Sequence, residues 1–417
     1  MNQGILLEED AFFPDKFRIN PTHIQRMTIL NSIFLARSKS TFAAGLGLGG
    51  LLLAGPAWAI NPDTLVLIHA RGQTFQMGQA LGGRVWTQTT PVHAVSFTYD
   101  FLMRATQLSQ GQYLAVGNRT NPSKHQVPGD LNLPVERVSW NEAVAYCNDL
   151  SRQDGLEPAY SAAGDVDLTK NGWRLLTSAE NEFVTRERTT TLLVYGDAFN
   201  TNGLLYAWSD GAANRKSEAG NSGGVTHDVG TLRPNSYGVY DMTGNLWMWC
   251  QDRHDPASTN NYPATPQVDP VGPATGNQRI AKGGAFWNDG GHHEMSANHW
   301  QWGPDTKSEE IGFRIGRTVT SADNLQFSNA ITAPVSRTTV TGTVACAATV
   351  YRSGGIGVAG VQFRLDGADL GVEVATPPYV FQWDTTSAAN GTHTLSVVAR
   401  DATGLLTAEF ETVTVNN

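Results

Sequence analysis

From Leu65 to Val319 the apolar runs are short and repeatedly broken by turns rich in Gly, Asn and Trp. A chain so punctuated builds only short elements, which limits this stretch to loops, brief strands and a few helices. Two helices have explicit start signals. In Ser139-Trp140-Asn141-Glu142 the serine hydroxyl is placed to accept from the amide three residues on, while the glutamate reaches back: a capping box. Ala143, Cys147 and Leu150 then share one face at helical spacing. Thr177-Ser178-Ala179-Glu180 repeats the device, with Phe183 and Val184 on the buried side of the second helix.

The character changes after Thr318. Residues 318–333 carry few core signals and read as a linker. Beyond them Val340–Val350 is rich in Thr, Val and Ala, Val361–Leu365 alternates, and Asp366-Gly367 is a tight hairpin signal. Tyr379–Trp383, Thr394–Arg400 and Ala408–Val415 follow, separated by Asn390-Gly391 and Gly404. Short strands at this spacing predict an all-β sandwich over residues 334–417.

Residues 1–59 read as a leader and not as fold. Arg37 and Lys39 precede a Gly/Ala/Leu-rich run from Phe42 to Leu53, and Ala57-Trp58-Ala59 is a small-x-small cleavage pattern. The run is too short and too rich in Gly to span a bilayer as a stable helix. The expectation is translation from Met27, cleavage after Ala59, and a periplasmic or extracellular protein without a stable membrane anchor. A net charge of −9 with no basic stripe argues against nucleic acid as a partner. The three cysteines, Cys147, Cys250 and Cys346, leave at least one unpaired within the chain, and no C-x-x-C spacing supports a zinc ribbon or thioredoxin-type site. Cys147, on an apolar helix face, reads as a buried thiol. A Cys147–Cys250 disulfide stays open, because spacing alone does not place the two Cα atoms.

Several motifs between residues 65 and 317 occur in the order found in the sulfatase-modifying-factor, or formylglycine-generating enzyme, family, and the segment resembles that family. Phe75-Gln76-Met77-Gly78 matches its opening strand, and Thr106–Tyr113 is a worn version of "yEVTngqY". Pro134-Val135 and Val138-Ser139-Trp140, with the helix to Cys147, fit closely. Trp173–Glu182 stands where the family has "yRLPTEAEWE", and Pro234–Trp249 is the strongest match. Lys282-Gly283-Gly284-Ala285-Phe286 precedes Ile311-Gly312-Phe313-Arg314. The resemblance implies an α+β fold: a duplicated C-type-lectin-like domain over residues 60–317 with much irregular structure. The C-terminal segment is similar to bacterial immunoglobulin-like modules of secreted multidomain proteins.

The family's reaction oxidises a cysteine in a client sulfatase, with Cu(I) held between two thiolates just after the "RGGS" strand. Here the matching positions are Asn288 and His293, and no cysteine lies in that segment. Cu(I) wants soft thiolates, which an amide and one imidazole do not replace. Copper is therefore not expected, and no cofactor is required. A structural calcium is implied at Asp241 and the carbonyls of Gly244 and Leu246, but Met248 stands where the family has a closing Glu, and a thioether is a poor ligand for a hard cation.

The segment that replaces the catalytic loop gathers Trp287, Asn288, Asp289, His292, His293, Glu294, Asn298, His299, Trp300 and Trp302. A transition-metal site is the sharper reading, yet neighbouring His292 and His293 would face opposite ways on a strand, and no H-x-H or H-E-x-x-H spacing occurs. A groove is the stronger reading, since flat rings stack while amides and acids hydrogen-bond. The same stretch is similar to the ligand face of lectin-like variable proteins of diversity-generating retroelements, although there it normally ends the chain. The expectation is an exported ligand-binding or assembly module for a protein, peptide or carbohydrate ligand. The alternatives are an oxidoreductase of the formylglycine-generating kind, a metal-dependent relative, or a variable lectin-like binding protein.

Overall fold

The computed structural model describes residues 61–79, 91–197, 201–210, 220–256, 261–288 and 291–417. The expected leader, and with it the signal peptide, lies outside the described residues.

Among the described residues three α-helices interrupt a domain of short strands: α1 (Gln110–Leu114), α2 (Trp140–Gln153) and α3 (Ser178–Arg186). Each begins at a capping box. Ser139 accepts from the Glu142 amide and Glu142 accepts from the Ser139 amide; Thr177 and Glu180 do the same for α3, and Ser109 and Gln112 for α1. Two of the first turn's orphan donors are met this way at each start. Helix α2 buries Ala143, Cys147 and Leu150, as its spacing predicts, and adds Val144 and Tyr146. Helix α3 is buried on all sides, so its Glu180 needs a partner inside: Arg174 grips it with two hydrogen bonds of 2.6 and 2.7 Å.

The sheet that matters for the candidate site has four strands, ordered Ile311–Phe313, Trp247–His254, Gln278–Lys282 and Trp300–Trp302. Ala281 pairs with Trp300 and Arg279 with Trp302, so residues 283–299 form the connection between two antiparallel neighbours. The segment singled out in the sequence is therefore a long loop rooted at both ends in one sheet.

The C-terminal region forms the predicted sandwich, with Phe327–Ala333, Thr343–Arg352 and Tyr379–Asp384 as one sheet. The linker reading of residues 318–333 is corrected over its second half: Phe327–Ala333 is a strand paired with Thr343–Arg352. Its inward residues are few, with Phe327 alone fully buried, so the pattern looks featureless.

The second sheet does not stop at the sandwich. Val358–Leu365, Gly391–Asp401 and Leu406–Val415 continue into Leu65–Ile68, Phe101–Arg104, Ile315–Thr318 and Arg174–Leu175 of the first domain. Leu65–Ile68 runs parallel to Leu406–Val415, with Val66 opposite Leu406 and Leu67 opposite Thr407. Strand alternation then divides the side chains between two cores. Val66, Ile68, Phe101 and Met103 enter the first domain's core, where they meet Val398, Leu406, Ala408 and Phe410 of the sandwich. Leu67 and Leu102 point the other way, into the sandwich core with Phe363 and Trp383. At about 1.5–3 kcal/mol per fully buried large apolar side chain, this join is worth many times a surface contact. Among the described residues no helix is long and apolar enough to cross a membrane.

Candidate functional site

The loop 283–299 is held from beneath by the turn 241–246. The Gly244 amide donates to the Gly283 carbonyl at 2.8 Å, and the Phe286 amide donates to the Asn245 carbonyl at 2.9 Å. A Cβ on Gly283 would lie 2.9 Å from the Met242 carbonyl oxygen, so the close approach requires glycine there. Asn245 is fully buried, and its side chain exchanges hydrogen bonds with the His227 backbone at 3.0 and 2.9 Å. This turn, the family-like GNLW segment, is the loop's floor.

Of the predicted groove residues that are described, Trp287 and Trp300 are the exposed ones, at 52% and 40%. The Trp287 indole donates to Glu310 at 2.6 Å, which orients its ring. Trp302 is half-buried and packs edge-on against Trp247 and Trp249, with centroids 5.9 and 6.0 Å away. His292 and His293 are half-buried in a turn of 3-10 helix, Gly291–Glu294, with ring centroids 3.8 Å apart. The expectation that they face opposite ways is thereby corrected: helical backbone, unlike a strand, does not alternate neighbours between faces. Asp289 lies outside the described residues.

The remaining predicted residues are not groove residues. Asn288 is buried and its side-chain oxygen accepts from the Ala285 amide at 2.7 Å, locking a turn. Glu294 is buried at 2% and accepts from the Tyr195 hydroxyl at 3.3 Å. The Asn298 carbonyl accepts from the buried Lys282 ammonium at 3.1 Å. His299 is buried beside His254, and burial, with Lys282 nearby, holds its pKa well below the ordinary range, so it stays neutral. Lys282 itself is paired with Glu182, which Arg186 also grips at 2.8 Å. A polar composition concealed an interior role for these side chains, because their partners come from distant positions in the chain.

The copper chemistry of the resemblance finds no suitable donors here. The two positions offer an engaged, buried Asn amide and an imidazole lying edge-on to Trp247. All three cysteines are free and buried, and burial pushes the Cys346 thiol up to about 12 and the Cys147 and Cys250 thiols higher still. This donor set does not fit Cu(I). Nor do the calcium residues fit as they stand. The carbonyls of Gly244 and Leu246, joined by that of Asp241, face the Gln107 amide nitrogen, and the Asp241 carboxylate is turned to the Gly230 amide. Among the described residues no group of three or more His, Cys, Asp or Glu side chains is placed to hold a metal.

Tyr195, which touches Glu294, also lines a cleft of about 390 Å³ between the first domain and the sandwich. Glu187, Tyr206 and Arg233 face Asp366 and Thr394 across it. The Tyr206 hydroxyl donates to the Asp366 carbonyl at 2.6 Å, and Glu187 accepts from the Ser236 amide and hydroxyl. Burial pushes the Glu187 carboxyl up to about 7. The sequence carries no signal for this cleft, since its two walls are more than a hundred residues apart.

Short strands, three capped helices and a long loop on a four-stranded sheet define a formylglycine-generating-enzyme-type domain of the C-type-lectin-like class, joined to an immunoglobulin-like sandwich. The chain belongs to the sulfatase-modifying factor enzyme 1-like domain family, whose pattern matches residues 56–319; a bacterial Ig domain matches residues 328–397. It is 29% identical over 317 residues to the formylglycine-generating enzyme of Streptomyces coelicolor, covering 71% of this chain and 78% of that protein. It is also 29% identical over 193 residues to the mouse protein named inactive C-alpha-formylglycine-generating enzyme 2, covering 44% of this chain and 49% of that one. Among solved structures, Treponema denticola variable protein 1 superposes with a TM-score of 0.51 at 26% identity, covering 61% of this chain and 94% of that one.

Proposed function

We propose that this protein is a non-catalytic, exported member of its family that binds a peptide, protein or carbohydrate ligand through the loop 283–299. One observation carries the reading: the loop 283–299, where the resemblance sets Asn288 and His293 at the thiolate positions, holds no cysteine, and every cysteine of the chain is buried and held protonated. A thiol kept in its protonated form in an apolar interior neither binds Cu(I) nor exchanges with a client cysteine. The exposed rings of Trp287 and Trp300 give the loop an aromatic contact surface instead. Likeness to a mouse protein named inactive, and to a variable protein, supports a scaffold kept without its original reaction.

The test is direct. Purified protein, loaded with copper, is offered a cysteine-containing sulfatase peptide under oxygen, and formylglycine is sought by mass spectrometry. No product is expected, and steady turnover sinks the proposal. In parallel, peptide and glycan arrays identify a ligand, for which Trp287→Ala is expected to weaken binding by about 1–3 kcal/mol, the cost of losing an aromatic anchor. Export is checked by cell fractionation with sequencing of the mature amino terminus, expected just after Ala59.

A further inference from the structure

Gln107 is 1% exposed, and its amide nitrogen lies 2.9 Å from the Leu246 carbonyl oxygen, 3.2 Å from that of Gly244 and 3.3 Å from that of Asp241. These carbonyls converge because the turn is wound through left-handed positions at Asp241, Gly244 and Asn245, with φ of 52, 74 and 62°. Three carbonyl oxygens aimed at one point in a dry interior need a positive partner, since an unmet buried acceptor costs stability. Either a cation or a multiple N–H donor satisfies them, and a primary amide offers two N–H groups.

The surrounding charges favour the donor. Arg314, also fully buried, donates to the carbonyls of Tyr240 and Asp241 at 2.5 and 3.2 Å and to that of Arg104 at 2.9 Å. The Asp241 oxygen is therefore shared between the guanidinium and the Gln107 amide, and a full positive charge already sits beside the cluster. The carboxylate that a divalent cation would want is turned away to the Gly230 amide. A calcium ion at this point would have to displace an amide, stand next to Arg314, and do so with neutral oxygens alone.

We propose that the Gln107 amide, backed by Arg314, is a covalent stand-in for a divalent cation, making the turn 241–246 and the loop it supports independent of calcium. The consequence reaches the loop through two contacts already described, from Gly244 to Gly283 and from Asn245 to Phe286. It holds whichever ligand that loop takes. Gln107→Glu keeps the shape but replaces the two N–H donors with negative oxygens facing three carbonyls. Such a site repels itself when empty and becomes a cage of oxygens when a calcium ion enters.

The experiment uses the full mature chain. Thermal midpoints are measured in EDTA and in millimolar calcium chloride, with bound metal counted by elemental analysis after dialysis. For the wild type the midpoint is expected to be the same in both buffers, with no stoichiometric calcium. Gln107→Glu is expected to melt several degrees lower in EDTA and to recover in calcium, with one ion bound per chain. Gln107→Leu is expected to melt lower in both buffers. A wild type that holds one calcium, or melts earlier in EDTA, overturns the proposal, since the amide would then be reversed with its oxygen on the ion. A Gln107→Glu chain that folds with no response to calcium overturns it too. Should that variant not fold at all, a Gln107→Leu chain as stable as the wild type refutes the stand-in role.

Discussion

Buried polar side chains carry much of the specificity at the scale of single residues. Glu182, Lys282 and Arg186 form a buried ion network, with Lys282 at the position where the family motif has an arginine. Attraction to Lys282 and Arg186 outweighs the burial that opposes ionisation, so the Glu182 carboxyl is held below its ordinary range. Glu187 is the opposite case. Burial outweighs the two Ser236 hydrogen bonds and raises it from 4.5 to about 7. The folded chain therefore binds this proton more tightly than the unfolded chain does. The contribution of Glu187 to stability is complete below pH 4.5 and is lost as pH rises through about 7. The stability of Glu187→Gln relative to the wild type is accordingly expected to rise between pH 4.5 and pH 8, on top of a constant cost from losing one of the two Ser236 hydrogen bonds. Urea unfolding across that range measures it, and a pH-independent difference would contradict the assignment.

Elements in this protein are short, so their ends matter more than their interiors. Helix α3 has nine residues, too few to be stable alone, and begins at Thr177, whose hydroxyl accepts from Glu180 at 3.0 Å. Thr177→Ala is expected to cost about 1 kcal/mol or somewhat more, because the lost cap leaves a buried amide unmet. Chemical denaturation reads this as a lower midpoint at unchanged slope. The same reasoning explains why α2 and α3 were readable in the sequence: a capping box is a local device, complete within four residues. The candidate loop is the reverse. Nothing local distinguishes Trp287, which is exposed, from Glu294 and His299, which are buried, because burial is decided by Tyr195, Lys282 and His254 arriving from elsewhere.

For the whole molecule, the shared sheet changes what the C-terminal module is. A spacer would leave the first domain intact on removal, whereas here Leu406–Val415 pairs with Leu65–Ile68 and four sandwich residues complete the first domain's core. Arg188 adds a contact to Glu409 and lies over the Phe410 ring at 4.6 Å. The full chain is expected to unfold in one cooperative step, and a chain ending at Thr318 to expose Val66, Phe101 and Tyr237, aggregate, and melt far lower. Calorimetry with two separable transitions, or a truncated chain as stable as the whole, would show the modules to be independent.

What the sequence determined by itself is whatever lies within a few residues or in an ordered series of motifs: the capping boxes, the sandwich strands, the Asp366-Gly367 hairpin and the family. Tertiary structure alone decided the fate of side chains whose partners are far away. It buried Asn288, Glu294, Asn298 and His299, brought His292 and His293 together, turned half of the expected linker into a strand, and set Gln107 among three carbonyls. The physical reason is range. Backbone propensity and capping act over one turn, while desolvation and hydrogen-bond satisfaction depend on every group the fold brings near, and those groups are ordered only in space.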